Sequence, residues 1–397
     1  MRGAGVVIAV VLFAACYAPS AQPGAPCPDG VCPSGLVCAP ATQTCERTAV
    51  PADASVDDAS ELDAPVDAPE MVTVDAPPDA APCYGAGLIT ICPSAPVTDS
   101  LAITANTTLD TDTSPLCIVY SGGELDVCVV AATTISIAAT QRLHAIGTRP
   151  LVLLATGAMT IDGTLDVTFG AGANPATCVA PTAATGKQGG AGGSWQGRGG
   201  SGGNAVSGTG PVAAPGTTTV ALRGGCRGGS GAGGGSPGAG GSGGGAVYLI
   251  AQSIAIDGAI NASGAGGARG RNASGGGGGG AGGFIGLDAP AIMVATDARV
   301  FANGGGGGEG GTPNKDGNSG STPNDPGTAT GGAGGANHGG NGGAGAAGTL
   351  LDGDDGRAGG TCDRGGASGG GGGGGAGFIY VYPAQVLGGT VSPAPGS

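Results

Sequence analysis

Met159-Thr160-Ile161-Asp162-Gly163-Thr164-Leu165-Asp166-Val167 and Ile254-Ala255-Ile256-Asp257-Gly258-Ala259-Ile260-Asn261-Ala262 are one nine-residue pattern written twice, 95 residues apart. An apolar triplet precedes each copy, Leu153-Leu154-Ala155 in the first and Leu249-Ile250-Ala251 in the second. Apolar side chains alternate on both sides of the Asp-Gly pair, which is the period of a strand, a tight corner and a second short strand. A third copy runs from Ile292-Met293-Val294 through Val300-Phe301-Ala302-Asn303-Gly304. A looser fourth runs from Phe378-Ile379-Tyr380-Val381 to Leu387-Gly388-Gly389-Thr390-Val391. Asp-Gly also closes two-residue hairpins. Stacked coils are preferred here because the units recur, and each is too small to bury a face without a neighbour. Ile135 to Met159 fits one coil of a parallel β-helix, with coils rising by about 4.8 Å. The fold class expected for residues 83–397 is therefore all-β, a parallel β-helix-like solenoid, with Asp162 and Asp257 as corner residues. Short β-branched strands around Ile103, Cys117-Ile118-Val119, Val127-Cys128-Val129-Val130 and Ile135-Ser136-Ile137 lead into it.

Glycine supplies 92 of the 397 residues, and 75 of these lie between 186 and 377, while aromatic residues are 3% of the chain. The glycines form four blocks, 186–245, 264–283, 304–348 and 353–377. Burial stabilises by roughly 25 cal/mol per Å² of apolar surface, and these blocks have little apolar surface to bury. Any order in them has to come from the backbone, whose close approach glycine permits and whose ordering it opposes entropically. Two states are open, flexible loops or polyproline-II-like rods lying side by side, and the longest blocks lean to the second. In either state the blocks read as long excursions from one side of the stack.

The chain begins with Arg2 and an apolar run from Ala4 to Ala15, which is the pattern of a secretory signal over residues 1–15 and too short to span a bilayer. Leu12-Phe13-Ala14-Ala15-Cys16 resembles a bacterial lipobox. That resemblance implies lipidation of Cys16 and firm anchoring, since each buried methylene adds about 0.8 kcal/mol. Tyr17, a non-acidic residue, implies passage to the outer membrane, where the cell surface is the expected face and the periplasmic face the alternative. Beyond a spacer (16–26), Cys27, Cys32, Cys38 and Cys45 make a compact module (27–46). In an exported chain such cysteines read first as disulfides. Cys27–Cys38 with Cys32–Cys45 is the preferred pairing of three; zinc, the rival, finds no nearby histidine. The stretch resembles the short CxxGxCPxGxxC modules of Gram-negative surface lipoproteins. Residues 47–82 are Ala/Asp/Pro variations carrying nine acidic residues and one arginine, a composition that favours an extended, disordered spacer. Further on, Cys83/Cys92 and Cys117/Cys128 are close enough to pair locally. Cys178 and Cys226 would bridge a long loop, leaving Cys362 unpaired or exchanging with Cys226.

Gly331-Gly332-Ala333-Gly334-Gly335-Ala336 and the following Asn337 to Gly345 look like the GGxGGx tracts of PGRS-type proteins, without the helical PE domain that precedes those tracts. Residues 83–397 as a whole resemble the glycine-rich, β-helical, Cys-containing surface lipoproteins of predatory Gram-negative bacteria. No biochemical function comes with that resemblance.

The formal charge of −14 argues against nucleic acid, whose phosphates demand clustered Lys and Arg. No Gly-Lys-Ser/Thr follows the glycine runs, which removes a phosphate-loop reading. His144 and His338 have no neighbouring Ser, Cys or carboxylate at triad or metal spacing. Asp352, Asp354 and Asp355 are weak calcium candidates without the distal glutamate of an EF-hand. Carbohydrate-active β-helices need carboxylates converging on one face; Asp162, Asp166, Asp257 and Asp288 are scattered along the strands, and Trp195 is the one tryptophan. No catalytic residues and no cofactor are expected. The function expected is that of a non-enzymatic surface lipoprotein with a structural, adhesive or matrix-contact role. Its partners would be outer-membrane lipid through the anchor, and envelope or matrix polysaccharide or further copies of itself. A carbohydrate-active enzyme and a calcium-stabilised surface protein are the alternatives.

Overall fold

A computed structural model describes residues 37–39, 44–46, 82–122, 125–206, 210–360 and 366–396. The chain divides into two compact units, Met1–Asp75 and Ala76–Ser397. In the first, β1 (Val37–Ala39) pairs antiparallel with β2 (Thr44–Glu46), placing Cys38 opposite Cys45. Cys38 is disulfide-bonded; the pairing within the 27–46 module lies outside the described residues, as do the signal segment, Cys16 and the 47–81 stretch.

The second unit is all-β, with no helix among the described residues. Its strands in chain order are β3 (Leu101–Ile103), β4 (Thr107–Asp110), β5 (Ile118–Gly122), β6 (Leu125–Ala132), β7 (Ile135–Ile137), β8 (Arg142–Ile146), β9 (Leu151–Ala155), β10 (Ala158–Ile161) and β11 (Thr164–Asp166). They continue as β12 (Ala246–Ile250), β13 (Ser253–Ile256), β14 (Ala259–Asn261), β15 (Phe284–Asp288), β16 (Ala291–Val294), β17 (Arg299–Phe301), β18 (Phe378–Tyr382) and β19 (Thr390–Ser392). Three sheets result: β3-β7-β10-β13-β16, β4-β8-β11-β14-β17-β19 and β5-β6-β9-β12-β15-β18. Every neighbouring pair in them is parallel except β5 with β6. From β6 onward the chain visits the third, first and second sheets in that repeating order.

The repeat read in the sequence is also the pairing register. Ile135 lies beside Met159 and Met159 beside Ile254, and Leu165 sits between Leu143 and Ile260. Asp162-Gly163 joins β10 of the first sheet to β11 of the second, so it turns a corner between sheets and closes no hairpin. Val130, Leu153, Leu249, Leu287 and Val381 form one ladder across the third sheet. They belong to a core shared with Ile137, Ile161 and Ile256 of the first sheet and Leu143, Leu165 and Ile260 of the second. The third unit begins earlier than its pattern suggested. Phe284–Asp288, immediately after a glycine block, is the strand in register with Ala246–Ile250, and Gly286 at its centre masks the alternation. The last unit has no first-sheet strand. Residues 383–389 pass there instead, and Gln385 covers the edge of β16, its Nε2 donating to Ala289 O (2.9 Å) and its Oε1 accepting from Ile292 N (3.1 Å). Gly396 does the same for β18, donating to Ile379 O (2.8 Å). Free strand edges invite pairing with other chains, and these two contacts occupy the C-terminal edges of the first and third sheets.

The glycine blocks all open at one corner. Residues 167–245 follow β11 and precede β12, residues 262–283 lie between β14 and β15, and residues 302–377 lie between β17 and β18. Each excursion therefore leaves the second sheet and returns to the third. One repeat earlier, residues 147–150 cross directly from β8 of the second sheet to β9 of the third.

The excursions are packed against one another by backbone hydrogen bonds. Gly276, Gly279 and Gly282 donate to Gly369, Gly372 and Gly375; Gly277, Gly280 and Gly283 donate to Ala268, Ala265 and Ala262; Gly278 and Ala281 donate to Gly229 and Cys226, all at 2.7–3.0 Å. In return the segment accepts from Gly190 and Gly193, from Gly238, Gly241 and Gly244, and from Gly305 and Gly308. Its N–H groups thus address three neighbours in rotation and its carbonyls three more, a period of three residues. Segments 304–311 and 368–377 are bonded to neighbours on all sides in the same manner. Built on Gly278, Gly279 or Gly280, a Cβ would fall within 3.0 Å of Ala191 O, Gly305 O or Ser242 O respectively, so none of the three faces has room for a side chain. The longest unbroken glycine runs, 275–280, 304–308 and 369–375, are the three innermost segments. Outer segments carry a side chain at every third position or so, as with Ala265 and Ala268.

Trp195 ties this bundle to the third sheet. It is buried, meets Phe378 edge to face at 5.3 Å, and has the Arg223 guanidinium over its ring. Burial pushes the Arg223 guanidinium down to about 10, and the ring face opposes that by favouring the cation.

Candidate functional site

Three disulfides stand among the described residues: Cys83–Cys92, Cys117–Cys128 and Cys178–Cys226. Cys27, Cys32 and Cys362 lie outside those residues, so neither the module's pairing nor the fate of Cys362 is on view. Cys178–Cys226 joins the start of the first excursion to a segment packed on 275–283.

The carboxylates considered for glycoside chemistry are dispersed. Asp162 and Asp257 are exposed on successive corners between the first and second sheets. Asp288 is buried on the third sheet. It accepts from Tyr248 Oη (3.0 Å) and from Ala86 N and Gly87 N (3.0 and 2.9 Å), while Tyr248 Oη accepts from Leu88 N (2.9 Å). Asp288 therefore fastens the Cys83–Cys92 loop over the outer face of that sheet, and burial beside it raises the Tyr248 hydroxyl well above its ordinary value. Asp166, at the end of β11, is the one of the four that meets basic side chains. Arg142 Nη2 donates to Asp166 Oδ2, Thr168 N donates to Asp166 Oδ1 (2.8 Å), and His144 Nδ1 is 3.8 Å from Asp166 Oδ2. Adjacent positions on two neighbouring parallel strands, β8 and β11, create this cluster, since His144 and Asp166 are register partners.

The calcium candidates serve the bundle. Asp352 Oδ1 accepts from Arg198 N (2.8 Å) and Asp355 Oδ1 from Ser201 N (2.6 Å), so these two side chains cross-link adjacent segments. Among the described residues no group of three His, Cys, Asp or Glu side chains converges on a metal-sized space. Trp195, being buried, offers no platform for a sugar ring. His338 sits in an exposed turn, where its carbonyl accepts from Gly360 N (2.7 Å).

The remaining polar concentration is at the end of the bundle farthest along the excursions from the sheets. The turns at 233–236, 271–274 and 312–315 lie together there, joined by bridges Gly233 to Ser274 and Ser236 to Arg271 and by Ala273 N donating to Thr312 O (3.0 Å). The last two of these turns border a groove whose walls include Arg269, Asn272, Asn314, Lys315 and Asp316, together with Gly334 and Gly335. Arg271 Nε is 3.6 Å from Asp316 Oδ2. Beneath it Glu309, fully buried, accepts from Asn318 N (2.9 Å) and Gly335 N (2.8 Å) through Oε2 and from Ala336 N (3.0 Å) through Oε1. Three donors balance this carboxylate, and it fixes the loop that forms the far wall. Sequence reading missed the groove because its residues come from two excursions and are ordinary loop residues in each. The one local signal was Glu309 itself, the sole charge beside an unbroken glycine run. Compared with known proteins, the chain matches no family model, no curated protein and no solved structure.

Proposed function

We propose that this chain is an exported, lipid-anchored surface protein with a non-enzymatic, adhesive or matrix-contact role. In this reading the three sheets are the sides of a β-solenoid and the glycine excursions are polyproline-II rods. The solenoid is the rigid mount and the rod bundle is what it displays. The observation that carries the proposal is that all three excursions leave one corner and fuse into a single hydrogen-bonded body, putting side chains on its outside and far end. Disulfides suit an oxidising compartment, and the lipobox-like Leu12 to Cys16 with its acidic spacer supplies a tether. Labelled palmitate incorporated by the parent and lost in Cys16→Ala, with the chain shaved from intact cells by protease, is the expected result. Retention of the mature chain inside the cell would end the proposal.

A carbohydrate-active enzyme is the second reading, and the Arg142–His144–Asp166 cluster is the observation in its favour. Incubation with a polysaccharide panel decides it: turnover abolished in Asp166→Asn would replace the contact role with a catalytic one.

A further inference from the structure

We infer that the groove at the far end of the bundle binds uronate-bearing, acidic polysaccharide, a proposal that rests on the contact role above and gives it a ligand class. Within Ala76–Ser397 acidic residues outnumber basic ones, 18 to 12, so the unit's overall field disfavours polyanions, and an acidic ligand needs a local concentration of cations. Arg269 and Lys315 supply it, from two excursions distant in sequence and adjacent at this groove. Arg271 is partly engaged by Asp316. The guanidinium offers a planar fork to a carboxylate and the ammonium a point charge. The Asn272 and Asn314 amides and the Asp316 carboxylate add the donors and acceptors that ring hydroxyls require. Buried Glu309 lies beneath, its charge taken up by three backbone N–H groups. It therefore builds the wall and does not cancel the cations in front of it.

The groove is held in shape before any ligand arrives. Asn272 and Ala273 have φ of 49° and 58°, a region non-glycine residues rarely enter because Cβ crowds the backbone there. The bridge from Ser236 to Arg271 and the Ala273–Thr312 bond hold them there. Pro313 limits the facing turn, whose ends exchange bonds between Thr312 and Lys315 (2.9 and 3.3 Å). Preorganised donors lose less entropy on binding.

The test immobilises the full chain and measures binding of polygalacturonate, of neutral dextran and of a single-stranded DNA oligonucleotide, at low and high salt. Expected are binding of polygalacturonate that weakens with salt, none to dextran, and weaker binding of DNA. Arg269→Ala with Lys315→Ala should weaken polygalacturonate at least tenfold with an unchanged melting temperature, while Arg299→Ala on β17 leaves it unchanged. If the double variant loses stability, Arg269→Gln with Lys315→Gln repeats the test on near-isosteric side chains. Undiminished binding by a folded double variant, or DNA and polygalacturonate bound equally well, would overturn the inference. Shaving of intact cells reads the surface proposal separately, so a surface-exposed chain with an inert groove removes this inference alone.

Discussion

Gly278→Ala is the sharpest test of the bundle, because one methyl group decides whether the interior segment has an open face. Gly278 N donates to Gly229 O (2.9 Å) and Gly278 O accepts from Gly241 N (2.8 Å). The new Cβ would fall within 3.0 Å of Ala191 O, an oxygen already accepting from Gly229 N (2.7 Å). Relief requires pushing two segments apart, an overpacking cost of about 1–3 kcal/mol, and weakens two or three hydrogen bonds worth about 1 kcal/mol each. The stiffer unfolded chain returns about 0.4–1 kcal/mol. The net expectation is a loss of about 2–6 kcal/mol, or about 4–12 °C in melting temperature at roughly 2 °C per kcal/mol for a domain of this size. Thermal melts followed by circular dichroism, disulfides intact, read it directly. Gly279→Ala and Gly280→Ala press on Gly305 O and Ser242 O, two other neighbours, so all three should fall together. Gly234, whose Cβ would meet nothing within 4 Å, is the control and should tolerate alanine. A melting temperature for any of the three within a degree of the Gly234→Ala value would refute packing on every side.

Removing Cys178–Cys226 with a double serine substitution opens a loop of sequence separation 48. A loss of up to about 4 kcal/mol is expected from chain entropy, measured as the denaturant midpoint. Glu309→Ala leaves three backbone donors without their acceptor and should cost about 3 kcal/mol or more; Glu309→Gln keeps both acceptor sites only in part and should fall between, as a melting series would show. Tyr248 has a folded-state value raised above its unfolded value near 10, so its contribution is complete below pH 10 and is lost as pH rises beyond it. Arg223, lowered to about 10, works oppositely over that window, since the unfolded chain then holds the extra proton. Tyr248→Phe should therefore flatten or reverse the decline of stability between pH 10 and 12; an unchanged slope would show that Tyr248 does not govern it.

The strand repeat was legible because its alternation survives in Met159 to Val167 and Ile254 to Ala262, where each inward residue is large. It failed at Phe284 to Asp288, where Gly286 interrupts the alternation and the strand buries both faces, its one polar residue, Asp288, included. The Asp-Gly pairs read as corners because the units recur; in isolation they would fit hairpins equally well. The glycine blocks were legible as excursions, but their mutual arrangement was not, since hydrogen bonds between backbones leave no residue preference except the absence of side chains. That absence does carry depth. Runs of five or more glycines mark segments surrounded on every side, and Gly-Gly-x marks those with one free face. The Arg142–His144–Asp166 cluster was hidden because Asp166, 22 residues beyond His144, reaches the pair on β8 only through parallel register.

The innermost glycine segments also bear on how this protein responds to temperature. Unfolding them hydrates peptide groups far more than methyl groups, and the heat-capacity increments of the two have opposite signs, about −0.26 and +0.45 cal/K/mol per Å². The three-sheet core supplies the positive part and the bundle subtracts from it. Calorimetry should therefore find a smaller heat-capacity change per residue than globular domains give, and a stability curve broad and shallow enough to hold its height well toward the cold.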